Sequence, residues 1–255
     1  MTAPTGGITP GPITAVLAAL QDRLDALPPG HPSQREFLAT YRRTTQAVGA
    51  AIGDGLFEDP GWVGQWDAVF ARLYLDAFDA RVAGRGRVPR PWRLAFDAPP
   101  SLPPLRHVLL GVNAHLNYDL PQALLAVIPD ADFANPGMLA RRRRDHERID
   151  LVLSGRVAAE DKELGATSPP SLLDRALRPV NRRGSQRFLR EARLKVWHNT
   201  RELHRARLLG PEAYAVRLAE LELLSAARIA DLLAPGQVLL RLAVAGFGVV
   251  LPPPD

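Results

Sequence analysis

Apolar residues recur three and four positions apart along most of the chain, and no window alternates strictly between apolar and polar. That pattern predicts helices and gives strands no support. Pro12 to Leu27 reads as a first helix, stopped by Pro28-Pro29-Gly30. Ser33 is placed to cap a second, running to about Ile52 and ending in Gly53 and Gly55. Asp59-Pro60 pairs an N-cap residue with proline at the first helical position. The helix it starts carries Trp62, Trp66, Phe70, Leu73 and Phe78 and stops near Gly84. Residues 84–103, rich in Gly and Pro, read as a long loop holding Trp92. Another helix spans Pro104 to Val127. Asn135-Pro136 repeats the cap-and-proline signal and opens a helix ending near Gly165. Ser168-Pro169-Pro170 opens a short helix, Ser185 caps a long one reaching Leu209, and Gly210-Pro211 starts the last, which ends near Ala234. The expectation is an all-α, single-domain bundle of about eight helices with long Pro/Gly-rich loops. It covers residues 1–255, with 1–11 flexible.

Composition agrees with a folded core and removes several classes. Of 255 residues, 46% are apolar and 23% charged, which excludes disordered and collagen-like chains. Cysteine is absent, so disulfides, thiolate metal sites and cysteine nucleophiles are excluded. Net charge is +5, but only Lys162 and Lys195 are lysines. An arginine excess alongside abundant Ala, Leu and Pro marks a GC-rich coding sequence more than a nucleic-acid partner, and nucleic-acid binding is not expected. Met1 to Pro12 lacks the basic start and apolar core of a secretory leader, and the longest apolar run, Val238 to Leu251, is interrupted by Arg241. A cytoplasmic protein without a membrane span is expected; the oligomeric state stays open. Residues 237–255 are too apolar to lie free in water and are expected to pack on the helical body or a second copy.

Candidate chemistry concentrates on one helix. Val108-Leu109-Leu110-Gly111-Val112 is apolar all round, yet Asn113, His115, Asn117 and Asp119 follow. His107, Gly111, His115 and Asp119 share a stripe, because residues four apart share a helix face. Pro121 ends or kinks the helix and leaves the Asn117 carbonyl without an amide. Burying this much polarity costs a few kcal/mol per unpaired group, so each group needs a partner. Two explanations fit: a satisfied network that fixes helix packing, or a functional site. His198 and Glu202 repeat the i, i+4 spacing far downstream. Two such pairs would supply four N/O ligands to one divalent cation, with zinc, manganese and iron all compatible and zinc first among them.

The stretch Gly111 to Pro121 resembles the signature of a bacterial, all-helical family of unknown function. Its pattern, Asn-Ala-His-x-Asn-x-Asp-Leu-Pro, is accompanied by Phe57-Glu58-Asp59 and Trp197-His198. A second similarity is to zinc-dependent phospholipase C and the single-strand zinc nucleases, all-helical enzymes with a His-x-x-x-Asp pair, a later His-x-x-x-Glu pair and an Asp in a Phe-x-Asp-Pro context. That resemblance implies His115, Asp119, His198 and Glu202 as metal ligands and Asp59 as a ligand or base. The chain departs from it at Leu124 and Leu125, where those enzymes carry a further His, and at Met1, where they use a terminal Trp. The resemblance therefore implies one or two metals, or none, rather than three.

Other features have plainer explanations. Arg141 to Arg144, with Asp145, His146, Glu147, Arg148 and Asp150, read as a solvated face or an anion patch. Asp59 is also an ideal N-cap. Tyr41-Arg42-Arg43 reads as ordinary surface, and no phosphate loop, dinucleotide fingerprint or nucleophile elbow is present. Three functions follow from these readings: a metal-dependent hydrolase, for instance of a phosphate ester; a metal-free acid/base enzyme, an isomerase or cyclase, acting on a small-molecule substrate; and a non-catalytic binding protein with a structural polar core. His115, Asp119 and Asp59 are the catalytic candidates, and Asn113 and Asn117 the flanking polar groups.

Overall fold

Proline opens nearly every helix of the chain. It costs nothing in a first turn, where the missing N–H has no helical partner, and its φ is already helical. The computed structural model describes residues 11–165 and 194–234, without the side chains of Leu105, Asp150 and 154–165. The helices are α1 (Pro12–Ala26), α2 (Pro32–Gly53), α3 (Pro60–Val82), α4 (Arg90–Phe96) and α5 (Pro104–Ala114). A π-helical turn (His115–Asp119) follows, then α6 (Leu120–Val127), α7 (Asp130–Ala134), α8 (Pro136–Gly165), α9 (194–209) and α10 (Pro211–Leu233). The architecture is all-α, and the described residues contain no strand. Among them no helix is long and apolar enough to cross a membrane.

The elements differ from expectation in four places. Residues 84–103 are not a continuous loop: Pro91 sits in the first turn of α4, which buries Trp92, Ala95 and Phe96 against the core. Ser33 does not cap α2. His31 holds that position, and the Ser33 hydroxyl bonds His107 Nδ1 at 2.9 Å instead. Pro104 to Val127 is not one regular helix, because the π turn breaks it ahead of Pro121. Finally, α7 lies between α6 and α8. Asn135 caps α8 as expected, accepting from the amides of Gly137 and Met138. The short helix after Ser168, the Ser185 cap, residues 1–10 and the apolar stretch 237–255 lie outside the described residues.

Two apolar clusters meet at the π turn. One gathers Leu20, Phe37, Leu38, Tyr74 and Trp92 from α1 to α4 with Ile229 of α10. The other gathers Trp62, Trp66 and Phe70 of α3 with Leu120 and Leu124 of α6, Ile149 of α8 and Trp197 of α9. The stripe read from the sequence sets how closely α5 lies on α2: His107 bonds Ser33, Gly111 faces Phe37, and His115 meets the rings of Phe37 and Tyr41. A Cβ on Gly111 would stand 2.3 Å from Phe37 Cδ2 and 2.5 Å from its Cγ. Only glycine permits this approach. Gly111→Ala is therefore expected to lose about 1–3 kcal/mol in urea unfolding, the range for overpacking. Phe37→Leu in the same chain should recover part of that loss, because the two sites share one contact. Equal and additive losses would mean that the contact is not the cause.

Candidate functional site in the bundle interior

The π turn exists where the helix ladder has to be rearranged. Pro121 has no N–H to return to the Asn117 carbonyl. One residue earlier, the Leu120 amide reaches the His115 carbonyl five residues back rather than four. Such turns recur at functional sites. Amide side chains serve the carbonyls nearby: Asn113 Nδ2 donates to Leu109 O at 2.8 Å, Asn117 Nδ2 to Asn113 O at 2.9 Å, and Gln122 Nε2 to Tyr118 O at 2.8 Å. Asn113 and Asn117 thus support the backbone of the helix that carries His115 and Asp119. Their amides do not reach into a shared site.

His115 and Asp119 are 3% and 1% exposed. Nδ1 of His115 lies 2.8 Å from Oδ2 of Asp119, and the same oxygen accepts from the Trp92 indole at 2.8 Å. The imidazole lies flat on Phe70, with ring centroids 3.5 Å apart and planes 6° apart. Tyr41 meets it edge-on at 4.7 Å, and Phe37, Tyr74 and Trp92 close the remaining directions at 5.8–5.9 Å. Nε2 of His115 and the Tyr74 hydroxyl are buried without a hydrogen-bond partner; the Tyr41 hydroxyl has Thr45 within reach.

This dry setting acts on every titratable group. Burial pushes the His115 imidazole well below its ordinary range. It pushes Asp119 well above the carboxylate range, against the Trp92 donor, which favours the ionised form. Burial also raises the Tyr41 phenol, and Asp67 and Asp119 push the same way, so Tyr41 stands between two carboxyls.

Asp67 was not singled out in the sequence. It sits on α3, 8% exposed, with Oδ2 unpartnered. Burial alone raises its carboxyl from 3.8 to about 7. It lines a cavity of about 50 Å³ between α2, α3, α6 and α8, with Tyr41, Trp66 and Phe70 among the walls. A signal was present: Asp67 interrupts the buried stripe Val63, Phe70, Ala71, Tyr74 and Phe78. Trp92 was hidden for the opposite reason, because Gly and Pro around it masked a short helix.

The other candidates lie elsewhere. Asp59 caps α3, accepting from the Trp62 amide at 3.0 Å, and pairs with Arg142 at 2.6 Å. Burial alone would raise its carboxyl, but that amide and Arg142 hold it below the ordinary value. Asp145, fully buried, receives the amides of Glu58 and Asp59 at 2.8 Å each, and Arg144 forks onto Glu58. Arg141, Arg142 and Arg144 therefore clamp the loop ahead of α3, while Arg143 pairs with Glu147 on the surface. His146 lies in the interior between Trp66 and Trp197. His198 and Glu202 line a surface cleft of about 200 Å³ with Arg143, Arg201 and Arg205, and Arg205 pairs with Glu202 at 2.5 Å. The expected four-ligand set does not assemble: among the described residues no three His, Asp or Glu side chains gather where they could hold a metal ion.

Asp67 makes stability depend on pH in a defined direction. A folded-state pKa above the unfolded value means the native chain keeps a proton that the unfolded chain has lost, so stability falls as pH rises through that interval. The interval runs from 3.8 to about 7. At 1.36 kcal/mol per unit the difference reaches about 4 kcal/mol. Asp67→Asn, which cannot ionise, should gain on the parent by up to that amount in urea unfolding between acid and neutral pH. An unchanged difference across the interval would refute the assignment.

Comparison with known proteins adds a family and no activity. No curated protein and no solved structure matches the chain. The likeness to zinc phospholipase C and the zinc nucleases is not shown. Residues 13–235 match the model of DUF5995, a family of unknown function, and the chain belongs to that family.

Proposed function

We propose that the chain carries a metal-free acid–base site for a small organic molecule, with Nε2–H of His115 as the proton donor and Asp119 as the group that positions it. The observation behind this reading is the unpartnered Nε2 beside a fully engaged Nδ1. A dry interior does not tolerate an isolated charge, so the His–Asp pair is expected to be neutral as a whole. Three arrangements satisfy that condition: an imidazolium against a carboxylate, a neutral imidazole accepting the carboxyl O–H at Nδ1, and a neutral imidazole donating Nδ1–H to a carboxyl protonated on its other oxygen. In the first two Nε2 carries a hydrogen, and these are the states the proposed donor requires. That hydrogen has no acceptor in the protein, and a buried donor left unpaired costs about 1–3 kcal/mol. A substrate carbonyl or hydroxyl oxygen would satisfy it and receive the proton, and the pair would then act as the base for the return step. The chemistry that suits one donor in an aromatic enclosure is isomerisation or cyclisation.

The metal-dependent hydrolase reading has less support. A metal at Nε2 would have to displace its proton, and the pair offers only two ligands. His198 and Glu202 share their cleft with three arginines, whose charge disfavours a cation. A purely structural role for the dyad has one observation in its favour: His115 is buried among five aromatic rings, so a substrate must open that packing.

Stability separates these readings without knowledge of the substrate. The double variant His115→Phe with Asp119→Asn fills the ring space and keeps an acceptor for Trp92. Groups held for chemistry are commonly suboptimal for the fold. The double variant should therefore be at least as stable as the parent in urea, and the purified parent should hold no stoichiometric metal. A loss of 2 kcal/mol or more, about the worth of a broken buried network, would assign the dyad to packing. Stoichiometric zinc that disappears in Asp119→Asn would restore the hydrolase.

A further inference from the structure

On the far side of Tyr41 and Phe70 from His115 lies the cavity that Asp67 lines. We infer that this cavity is a binding site for a small primary amine, held as its ammonium ion by Asp67 and by the aromatic walls from α2 and α3. The inference does not depend on the His115 reading. It stands on three features of the enclosure.

First, Oδ2 of Asp67 is buried without a hydrogen-bond partner, in a residue only 8% exposed. Buried carboxyls in folded proteins are almost always paired, and one facing a cavity without a partner needs an explanation. Second, the walls around it are Tyr41, Trp66 and Phe70, with aliphatic Val63, Leu120 and Ile149 completing the enclosure. A carboxylate among aromatic rings is the arrangement that recognises organic cations, the rings adding attraction to the charge pair. Third, the volume, about 50 Å³, admits an ammonium head with a carbon or two and excludes bulky cations. The Trp66 indole N–H is also buried without a partner, so the enclosure has an unsatisfied polar group besides the carboxyl. The Tyr41 hydroxyl is served by Thr45, one turn on.

An amine entering from water gives Asp67 the countercharge that the protein does not supply. The carboxyl is then ionised in the complex, and its charge is shared between the ammonium N–H groups and the ring faces. Phe70 and Tyr41 line this site and also contact His115.

Thermal unfolding of the full chain with methylammonium chloride, against sodium chloride at equal ionic strength, tests this directly. At ten times the dissociation constant, binding should raise Tm by roughly 2–4 °C. The neutral isostere acetamide should give no rise, and neither should tetramethylammonium, which is too large. Asp67→Asn should abolish the methylammonium effect while still folding, since the change is isosteric. If that variant does not fold, the parent still decides the matter: the Trp66 indole N–H resonance should shift saturably with methylammonium and not with acetamide. An equal response to acetamide would make this a neutral hydrogen-bonding site. No response to either would mean that the cavity holds water only. Each of those outcomes overturns the inference. The stability of the His115→Phe, Asp119→Asn variant bears only on the neighbouring site, so the two readings fail separately.

Discussion

A carboxyl in a dry interior must be satisfied, and Asp119 is satisfied by two nitrogens on one oxygen: the Trp92 indole and the His115 imidazole. Much of the bundle follows from that requirement. Trp92 reaches Asp119 only because α4 folds into the Gly/Pro-rich crossing and buries its indole completely. His115 and Asp119 sit within the π turn, and the turn sits where Pro121 denies the ladder a donor. Gly111, one turn earlier, lets α5 lie against Phe37 closely enough to bring His115 among the rings of α2 and α3. Two apolar clusters meet at this point, so a change in the polar pair is felt by both.

Among the buried polar atoms left without a hydrogen-bond partner are Nε2 of His115 and Oδ2 of Asp67. Tyr41 and Phe70 separate them, touching the imidazole on one side and lining the cavity on the other. Surface charges are arranged differently. Arg141, Arg142 and Arg144 of α8 fix the loop at Glu58 and Asp59, and the buried Asp145 holds that loop by its backbone.

Much of this was legible in the chain. The helical period and the Pro-based start signals locate most helices, since each rests on local geometry that tertiary packing does not override. The stripe His107, Gly111, His115, Asp119 predicts which face of α5 turns inward, and the structure pairs each member with a residue of α2, α3 or α4, or, for His115 and Asp119, with each other as well. What was not legible depends on contacts distant in sequence. Trp92 is 27 positions from Asp119, and nothing local announces their bond. Tyr41 read as surface because two arginines follow it, yet it is buried against His115. His198 and Glu202 share a spacing with His115 and Asp119 but not a location, because equal spacing fixes a helix face and not what that face meets.

The protonation state of His115 tests the account most directly. Long-range nitrogen–proton NMR of the imidazole, on the full chain, distinguishes a hydrogen on Nε2 from one on Nδ1 alone. The proposed donor predicts a hydrogen on Nε2 at neutral pH, held there in the parent and unaffected by chelators. A ring protonated only at Nδ1, with Nε2 bare, would remove the proposed donor and contradict the account at its centre.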